Sequence, residues 1–176
     1  MAKSIILMGY MGAGKTTLGK ALAKKLERNF CDLDWYIEET TGKTIPEIFA
    51  ESGEDGFRQI EQAKLHEVAQ LPDMVIAVGG GTPCFFDNVD FMNENAITVY
   101  LHASVETLID HIHISNTNRP LIAGKSDDEL RDYINESLRK REPFYLKATH
   151  ILNLQTITLQ SQIDDYVEQI IKISNQ

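Results

Sequence analysis

The stretch IILMGYMGAGKTTLGK, residues 5–20, decides the fold of this chain. An apolar run leads into the pattern Gly-x-x-Gly-x-Gly-Lys-Thr, which begins at Gly9 and passes directly into a helical pattern. Glycines let the backbone wrap around a phosphate with its N–H groups turned inward, and the start of a helix adds about half a positive charge. The stretch therefore reads as a complete phosphate-binding loop between a strand and a helix.

This loop predicts a nucleotide site and the residues that form it. We expect Lys15 to neutralise the β and γ phosphates and the hydroxyl of Thr16 to coordinate Mg²⁺. The nucleotide ligands predicted in the loop are Gly12, Ala13, Gly14, Lys15, Thr16 and Thr17.

Beyond the loop, short apolar runs alternate with helical patterns. The predicted strands are Ser4–Met8, Phe30–Leu33, Met74–Val78, Ala96–Leu101 and His150–Leu154, and the predicted helices include Lys15–Arg28, Asp34–Thr41 and Phe57–Gln70. Such alternation predicts an α/β fold in which helices cover both faces of a parallel sheet. At 176 residues we expect a single domain, 1–176.

Two further helix starts carry capping boxes, in which a side-chain oxygen and a Glu three residues later satisfy free backbone amides. The pairs are Thr44 with Glu47 and Ser126 with Glu129. The helix that follows Ser126 is predicted to end near Pro143, because proline cannot continue a helical hydrogen-bond ladder.

Composition and charge exclude several classes of partner. The chain has 17 basic and 26 acidic side chains, a net charge of −9, which opposes binding to nucleic acid or to an anionic membrane. No signal-peptide core and no apolar stretch of about 20 residues is present. The two cysteines are not in CxxC spacing, as is usual for buried thiols in a reducing compartment. We expect a cytoplasmic protein.

Two carboxylates follow the second predicted strand, and three glycines follow the third. Asp32 and Asp34 leave the sheet at the edge where ligands of open α/β sheets bind, so one can serve Mg²⁺ while the other faces an acceptor hydroxyl. Alternation along the strand would place both on one side, although Asp34 could instead cap a helix. Residues 79–81, all glycine, permit a small ligand to approach the backbone closely or form a bare tight turn.

The polar segment Ser115 to Lys125 is long for a passive connection in a compact domain. A mobile lid and an ordinary surface loop are both compatible with its composition. The presence of Arg119 within it favours the lid.

Taken together, these residues resemble the shikimate kinase family, within the nucleoside monophosphate kinase-like group of P-loop proteins. The resemblance covers nearly the whole chain and rests on residues 9–20, 32–34, 49–58, 79–81, 119–121 and 141. It implies a three-layer α/β/α fold with a five-stranded parallel sheet in the order 2-3-1-4-5, a shikimate-binding region at about 33–61 and a lid at about 112–126. It also implies ATP-dependent phosphorylation of the 3-hydroxyl of shikimate.

The resemblance also implies roles for individual residues. Arg58 and Arg141 would grip the shikimate carboxylate with planar forks. Glu61, one helical turn beyond Arg58, either orients Arg58 or forms an ordinary ion pair on the helix surface. Asp34 and the Gly80 amide would hold the hydroxyls. The residues implied in catalysis are Asp34, Lys15 and Arg119, Arg119 also binding the nucleotide; Thr16 and Asp32 are implied for Mg²⁺. We expect a monomer that binds ATP and shikimate.

The chain departs from the family where an Arg usually stacks on adenine, seven residues before the lid Arg. Here that position is Ile112, and the neighbouring His113 is either a substitute stacking ring or an exposed side chain. Two other functions compete with the one the resemblance implies. They are another small-metabolite kinase, such as a gluconate kinase-like enzyme or a nucleoside monophosphate kinase, and a non-catalytic nucleotide-binding switch.

Overall fold

A computed structural model of the chain describes residues 3–115 and 121–175. Within these residues a single sheet has five strands, all parallel, in the order β2-β3-β1-β4-β5, which confirms the predicted fold class and strand order. The strands are β1 Ile5–Met8, β2 Asn29–Asp32, β3 Met74–Ala77, β4 Ile97–Ala103 and β5 His150–Leu154. The helices are α1 Lys15–Leu26, α2 Leu33–Thr41, α3 Ile45–Ala69, α4 Asn88–Asn95, α5 Val105–Ser115, α6 Asp127–Tyr145 and α7 Gln160–Ser174.

The centre of the sheet is the core of the molecule. Every residue of β1 and β3 is buried, and β1 lies between β3 and β4, with Ile6 paired to Ile76 on one side and to Thr98 on the other. Strands covered on both faces must be apolar throughout, which explains the continuous apolar runs in the sequence. The phosphate loop leaves the carboxyl end of this central strand.

The junction between β2 and α2 differs from the sequence-based expectation. The strand ends at Asp32, and Leu33 already begins the helix. Asp32 caps that helix by accepting a hydrogen bond from the backbone N–H of Asp34 at 3.1 Å. The alternation argument for Asp34 was therefore wrong: Asp34 lies in the first helical turn, and Asp32 is the capping residue.

Helix α3 joins two predicted elements. It begins at the Thr44–Glu47 capping box, as predicted, but continues past the predicted start at Phe57. Gly53 interrupts it with φ 67 and ψ −174, a left-handed φ that glycine adopts readily. The segment after this kink carries Phe57 and Arg58 toward the sheet.

Helix α6 begins at the predicted capping box of Ser126 and Glu129 but passes the predicted end at Pro143. It closes two residues later at Tyr145, a fully buried side chain whose hydroxyl donates to the Gly80 carbonyl at 2.5 Å. The proline removes one ladder bond in the last turn only, and burial of Tyr145 holds that turn in place. In the described part of the chain no helix has both the length and the apolarity to cross a membrane.

Candidate active site

A cavity of about 490 Å³ opens at the carboxyl ends of β1, β2 and β3, where ligands of open parallel sheets bind. The phosphate loop, the two aspartates and the glycine turn after β3 meet there. Of the predicted site residues, those that line it are Gly12, Gly14, Lys15, Thr16, Thr17, Asp32, Asp34 and Gly80.

The phosphate loop has the backbone geometry that its glycines predict. Gly12 and Gly14 have φ values of 82 and 94, in the left-handed region that other residues avoid. The Lys15 ammonium donates to the carbonyls of Gly9 at 2.8 Å and Tyr10 at 3.0 Å, which holds it across the loop. Ala13, also predicted as a nucleotide ligand, is buried outside the cavity lining, and its N–H donates to the Tyr10 carbonyl at 3.1 Å.

Thr16 and Asp32 form a pair of oxygen ligands beside the loop. The Thr16 hydroxyl donates to Asp32 Oδ2 at 2.8 Å, while Asp32 Oδ1 accepts the Asp34 amide. Among the described residues no group of three or more His, Cys, Asp or Glu side chains could hold a metal by itself. A hydroxyl and a carboxylate nevertheless fit Mg²⁺, which usually keeps several waters and binds through one or two protein ligands plus substrate phosphates.

Asp34 is the carboxylate with the most unusual electrostatics at the site. Burial raises its pKa from 3.8 to about 6, with smaller contributions from the negative charges of Asp32 and Glu61, while Lys15 acts in the opposite direction. A carboxyl group whose pKa lies near neutrality can exchange a proton under working conditions, as a general base must.

Arg58 is held firmly against the glycine turn. Its Nη1 donates to Glu61 Oε2 at 2.8 Å, and Glu61, only 1% exposed, also accepts the Thr82 hydroxyl at 2.6 Å. The guanidinium lies 4.0 Å from the centre of the Phe85 ring, and a Cβ added at Gly81 would come within 2.6 Å of its Nη2. The absence of a side chain at position 81 is therefore what admits the Arg58 fork.

Arg141 approaches the same turn from α6. Its Nη1 lies 3.3 Å from where a Cβ at Gly80 would be, and its guanidinium sits 5.6 Å from the centre of the Tyr10 ring. Neither Arg58 nor Arg141 lines the cavity itself. The two guanidinium groups do converge on adjacent glycines at its margin, next to Asp34, whose Oδ1 lies 3.2 Å from a Cβ position at Gly79.

Ile112 and His113, where the chain departs from the family pattern, lie in different environments. Ile112 packs against the phosphate loop, where its Cγ1 would be 3.2 Å from a Cβ at Gly12. His113 is exposed, hydrogen-bonds to Asp127 at 2.9 Å and does not line the cavity, as expected of an exposed side chain on this helix. Arg119 and residues 116–120 of the predicted lid lie outside the described residues.

Sequence reasoning missed the far wall of the cavity. That wall is formed by His111 and by apolar side chains from the loop, α5, the segment after β5 and α7, namely Met11, Ile114, Ile157 and Ile163. Their positions in the sequence are far apart and carry no shared motif. The apolar spacing of residues 160–174 could have indicated the helix that carries Ile163.

The comparisons with known proteins agree with this geometry. The family model described as shikimate kinase matches residues 11–172. A shikimate kinase from Phocaeicola vulgatus is 50% identical over 171 residues, covering 97% of this chain and 98% of that protein. The crystal structure of shikimate kinase from Bacteroides thetaiotaomicron superimposes with a TM-score of 0.95 at 48% identity, covering 99% of both chains. Shikimate kinase from Acinetobacter baumannii, solved in complex with shikimate, gives a TM-score of 0.83 at 35% identity over 98% of this chain and 93% of that one. The chain therefore belongs to the shikimate kinase family.

Proposed function

We propose that this protein transfers the γ-phosphoryl group of ATP to the 3-hydroxyl of shikimate, giving shikimate 3-phosphate and ADP for the biosynthesis of chorismate and the aromatic amino acids. The observation that carries the proposal is the convergence of Arg58 and Arg141 on the glycine turn beside Asp34. Two planar forks and one carboxylate suit an acceptor that has a carboxylate and several hydroxyls.

The acceptor is oriented by its carboxylate and by its hydroxyls. Arg58 and Arg141 bind the carboxylate, and the buried Glu61 holds Arg58 in place. Asp34 and the Gly80 amide form hydrogen bonds with the hydroxyls. Asp34 then takes the proton as the hydroxyl attacks. Positioning supplies much of the catalysis, because phosphoryl transfer passes through a loose transition state.

The phosphate end is arranged by the loop. Gly12, Gly14 and Thr17 face the cavity, and Lys15 moves from the loop carbonyls to the β and γ phosphates. Thr16 and Asp32 would hold Mg²⁺, which would neutralise charge on the phosphates. Arg119, on the lid at about 112–126, adds positive charge to the transferring group, as the family resemblance implies.

The remaining features of the proposal concern the whole chain. Residues 1–176 act as one domain, with the shikimate-binding region at about 33–61. We propose that the protein acts as a monomer. We propose a cytoplasmic location, because the reaction consumes ATP, which the cytoplasm supplies. Sedimentation equilibrium at micromolar concentration tests the monomer.

The experiment that tests the function is a coupled assay of ADP formation against shikimate, quinate, gluconate and nucleoside monophosphates. We expect shikimate to be strongly preferred, because only a carboxylated ring with suitably placed hydroxyls engages both guanidinium groups and Asp34. Preference for gluconate or a nucleoside monophosphate would identify a different kinase. Tight ADP binding with no acceptor-dependent turnover would identify a nucleotide-binding switch.

A further inference from the structure

His111 joins two parts of the cavity that are distant in the sequence. The side chain projects from α5 into the cavity lining, where its Nδ1 lies 2.7 Å from the Gly12 carbonyl. Its Nε2 accepts a hydrogen bond from the backbone N–H of Ile157 at 2.8 Å. One ring therefore contacts the phosphate loop and the segment after β5 at the same time.

The two hydrogen bonds determine which nitrogen of the His111 ring carries the proton. A backbone N–H can only donate, so Nε2 must be the unprotonated nitrogen that accepts from Ile157. In a neutral imidazole the proton then resides on Nδ1, which donates it to the Gly12 carbonyl. This arrangement needs the Nδ1–H tautomer, because either another tautomer or an imidazolium would lose the bond to Ile157.

The segment that His111 holds is tied down by side chains rather than by the sheet. Thr156 donates its hydroxyl to Asp110 at 2.7 Å, while the backbone N–H groups of Thr158 and Leu159 donate to Gln162 at 2.9 and 3.0 Å. The Ile157 amide, in the middle of this segment, is satisfied by His111. The residues on either side of Ile157 are thus anchored separately, and the hydrogen bond to His111 determines how closely Ile157 approaches the phosphate loop.

The residues that line the cavity indicate which part of the substrates each end would bind. The loop and the Thr16–Asp32 pair form a phosphate end, and Asp34 and the glycine turn form an acceptor end. The remaining wall is apolar, with Ile114, Ile157 and Ile163, and an apolar wall suits the flat face of a nucleobase. The spacing between this wall and the loop must match the length of a nucleoside diphosphate.

We propose that His111 is a positioning residue that sets this spacing, by holding the phosphate loop at Gly12 and the nucleoside wall at Ile157. The inference rests on the proposed function, since it assumes that the cavity receives ATP. His111 contributes to nucleotide affinity without touching the acceptor end. The role is distinct from that of the usual adenine-stacking Arg, whose position, Ile112, packs on the loop.

The test compares His111→Phe, His111→Gln and His113→Phe with the parent protein. Phe keeps the ring but removes both hydrogen bonds, whereas the carboxamide of Gln still offers one donor and one acceptor. His113 lies two residues along the same helix, is exposed and bonds to Asp127, so His113→Phe is the matched control. The readouts are the Kd for MgADP by isothermal titration calorimetry and the KM values for ATP and shikimate.

We expect His111→Phe to raise the Kd for MgADP and the KM for ATP about 4-fold or more, since two hydrogen bonds each contribute a factor of about 2 or more. His111→Gln should recover part of the loss, and the KM for shikimate and the behaviour of His113→Phe should stay within about 2-fold of the parent. Equal loss for ATP and shikimate, or no rescue by Gln, would overturn the assignment in favour of a general structural role.

A second measurement on the parent protein does not depend on any variant folding. Long-range ¹H–¹⁵N spectra of the imidazoles should show His111 as the Nδ1–H tautomer, and hydrogen exchange at the Ile157 amide should be slow. An Nε2–H tautomer or a freely exchanging amide would contradict the bridge. Because these readouts and the MgADP titration need no acceptor, they remain decisive even if the parent fails to phosphorylate shikimate, an outcome that would refute only the proposed function.

Discussion

Replacing Asp34 by Asn should remove part of the pH dependence of the free energy of unfolding. The folded carboxyl has a pKa of about 6 against an ordinary 3.8, so the folded state holds the proton more tightly than the unfolded state does. The resulting stabilisation is fully present below pH 3.8 and is lost as pH rises through about 6. At about 1.4 kcal/mol for each tenfold change in acidity, the full effect is about 3 kcal/mol, an upper bound.

Roughly half of this effect lies in an accessible pH range. Between pH 5 and pH 8 the free energy of unfolding of the parent should fall by about 1.4 kcal/mol relative to Asp34→Asn, whose amide does not titrate. Urea denaturation of both proteins without ligands at the two pH values measures this difference. Asp55→Asn, at an exposed position on α3, is the control and should follow the parent. Identical pH slopes for the parent and Asp34→Asn would show that Asp34 is not held with a raised pKa.

The same substitution separates the two catalytic roles of Asp34. If the carboxylate is the base, turnover should fall about 100-fold or more while acceptor binding is nearly kept, because the amide retains the shape but accepts no proton. Single-turnover kinetics on the parent and Asp34→Asn measure the chemical step directly. An unchanged chemical step in the variant would exclude the base and leave positioning.

Three further predictions address the other parts of the site. Lys15→Met should abolish turnover while the circular dichroism spectrum is preserved, and a folded, fully active variant would remove Lys15 from the mechanism. Arg58→Lys and Arg141→Lys should each raise the KM for shikimate far more than that for ATP, at about 1.5–3 kcal/mol for each charged hydrogen bond lost; equal losses would place that Arg in the scaffold. Gly81→Ala should also raise the KM for shikimate selectively, because φ of −88 accepts alanine while its Cβ would displace the Arg58 guanidinium from 2.6 Å. An unaltered KM for shikimate in Gly81→Ala would refute the packing argument.

The elements with strong local signals were predictable from the sequence. Strand β5 matches its predicted bounds, and both capping boxes start their helices where expected, because their hydrogen bonds involve residues only three apart. The boundary after Asp32 was missed because its side chain captures the amide of Asp34 and turns the chain into a helix one residue early. No bounds were predicted for α4, α5 and α7. Helix α4 has only 8 residues, too few for a clear period.

The site was predictable where one motif contains it and not where distant segments meet. The phosphate loop, the Thr16–Asp32 pair and Asp34 lie within 26 residues of one another, so local geometry determines much of their arrangement. The pairing of Arg58 with Arg141 was predicted only through the family resemblance. The bridge of His111 to Gly12 and Ile157 depends on contacts over 99 and 46 residues. Such contacts arise from packing of whole elements, which no local pattern encodes.

The two oxygens of Asp32 have a consequence for how such a protein could change over evolutionary time. One oxygen accepts from Thr16 of the phosphate loop, and the other accepts from the Asp34 amide in the first turn of α2. A mutation that removes both oxygens of Asp32 therefore loses the Thr16 partner and the cap of α2 in a single step. A mutation at Asp34 leaves the loop and Thr16 with their partners. Loss of Asp34 alone is consequently the simpler route to a pseudoenzyme that still binds nucleotide, because it leaves the contacts of Thr16 in place.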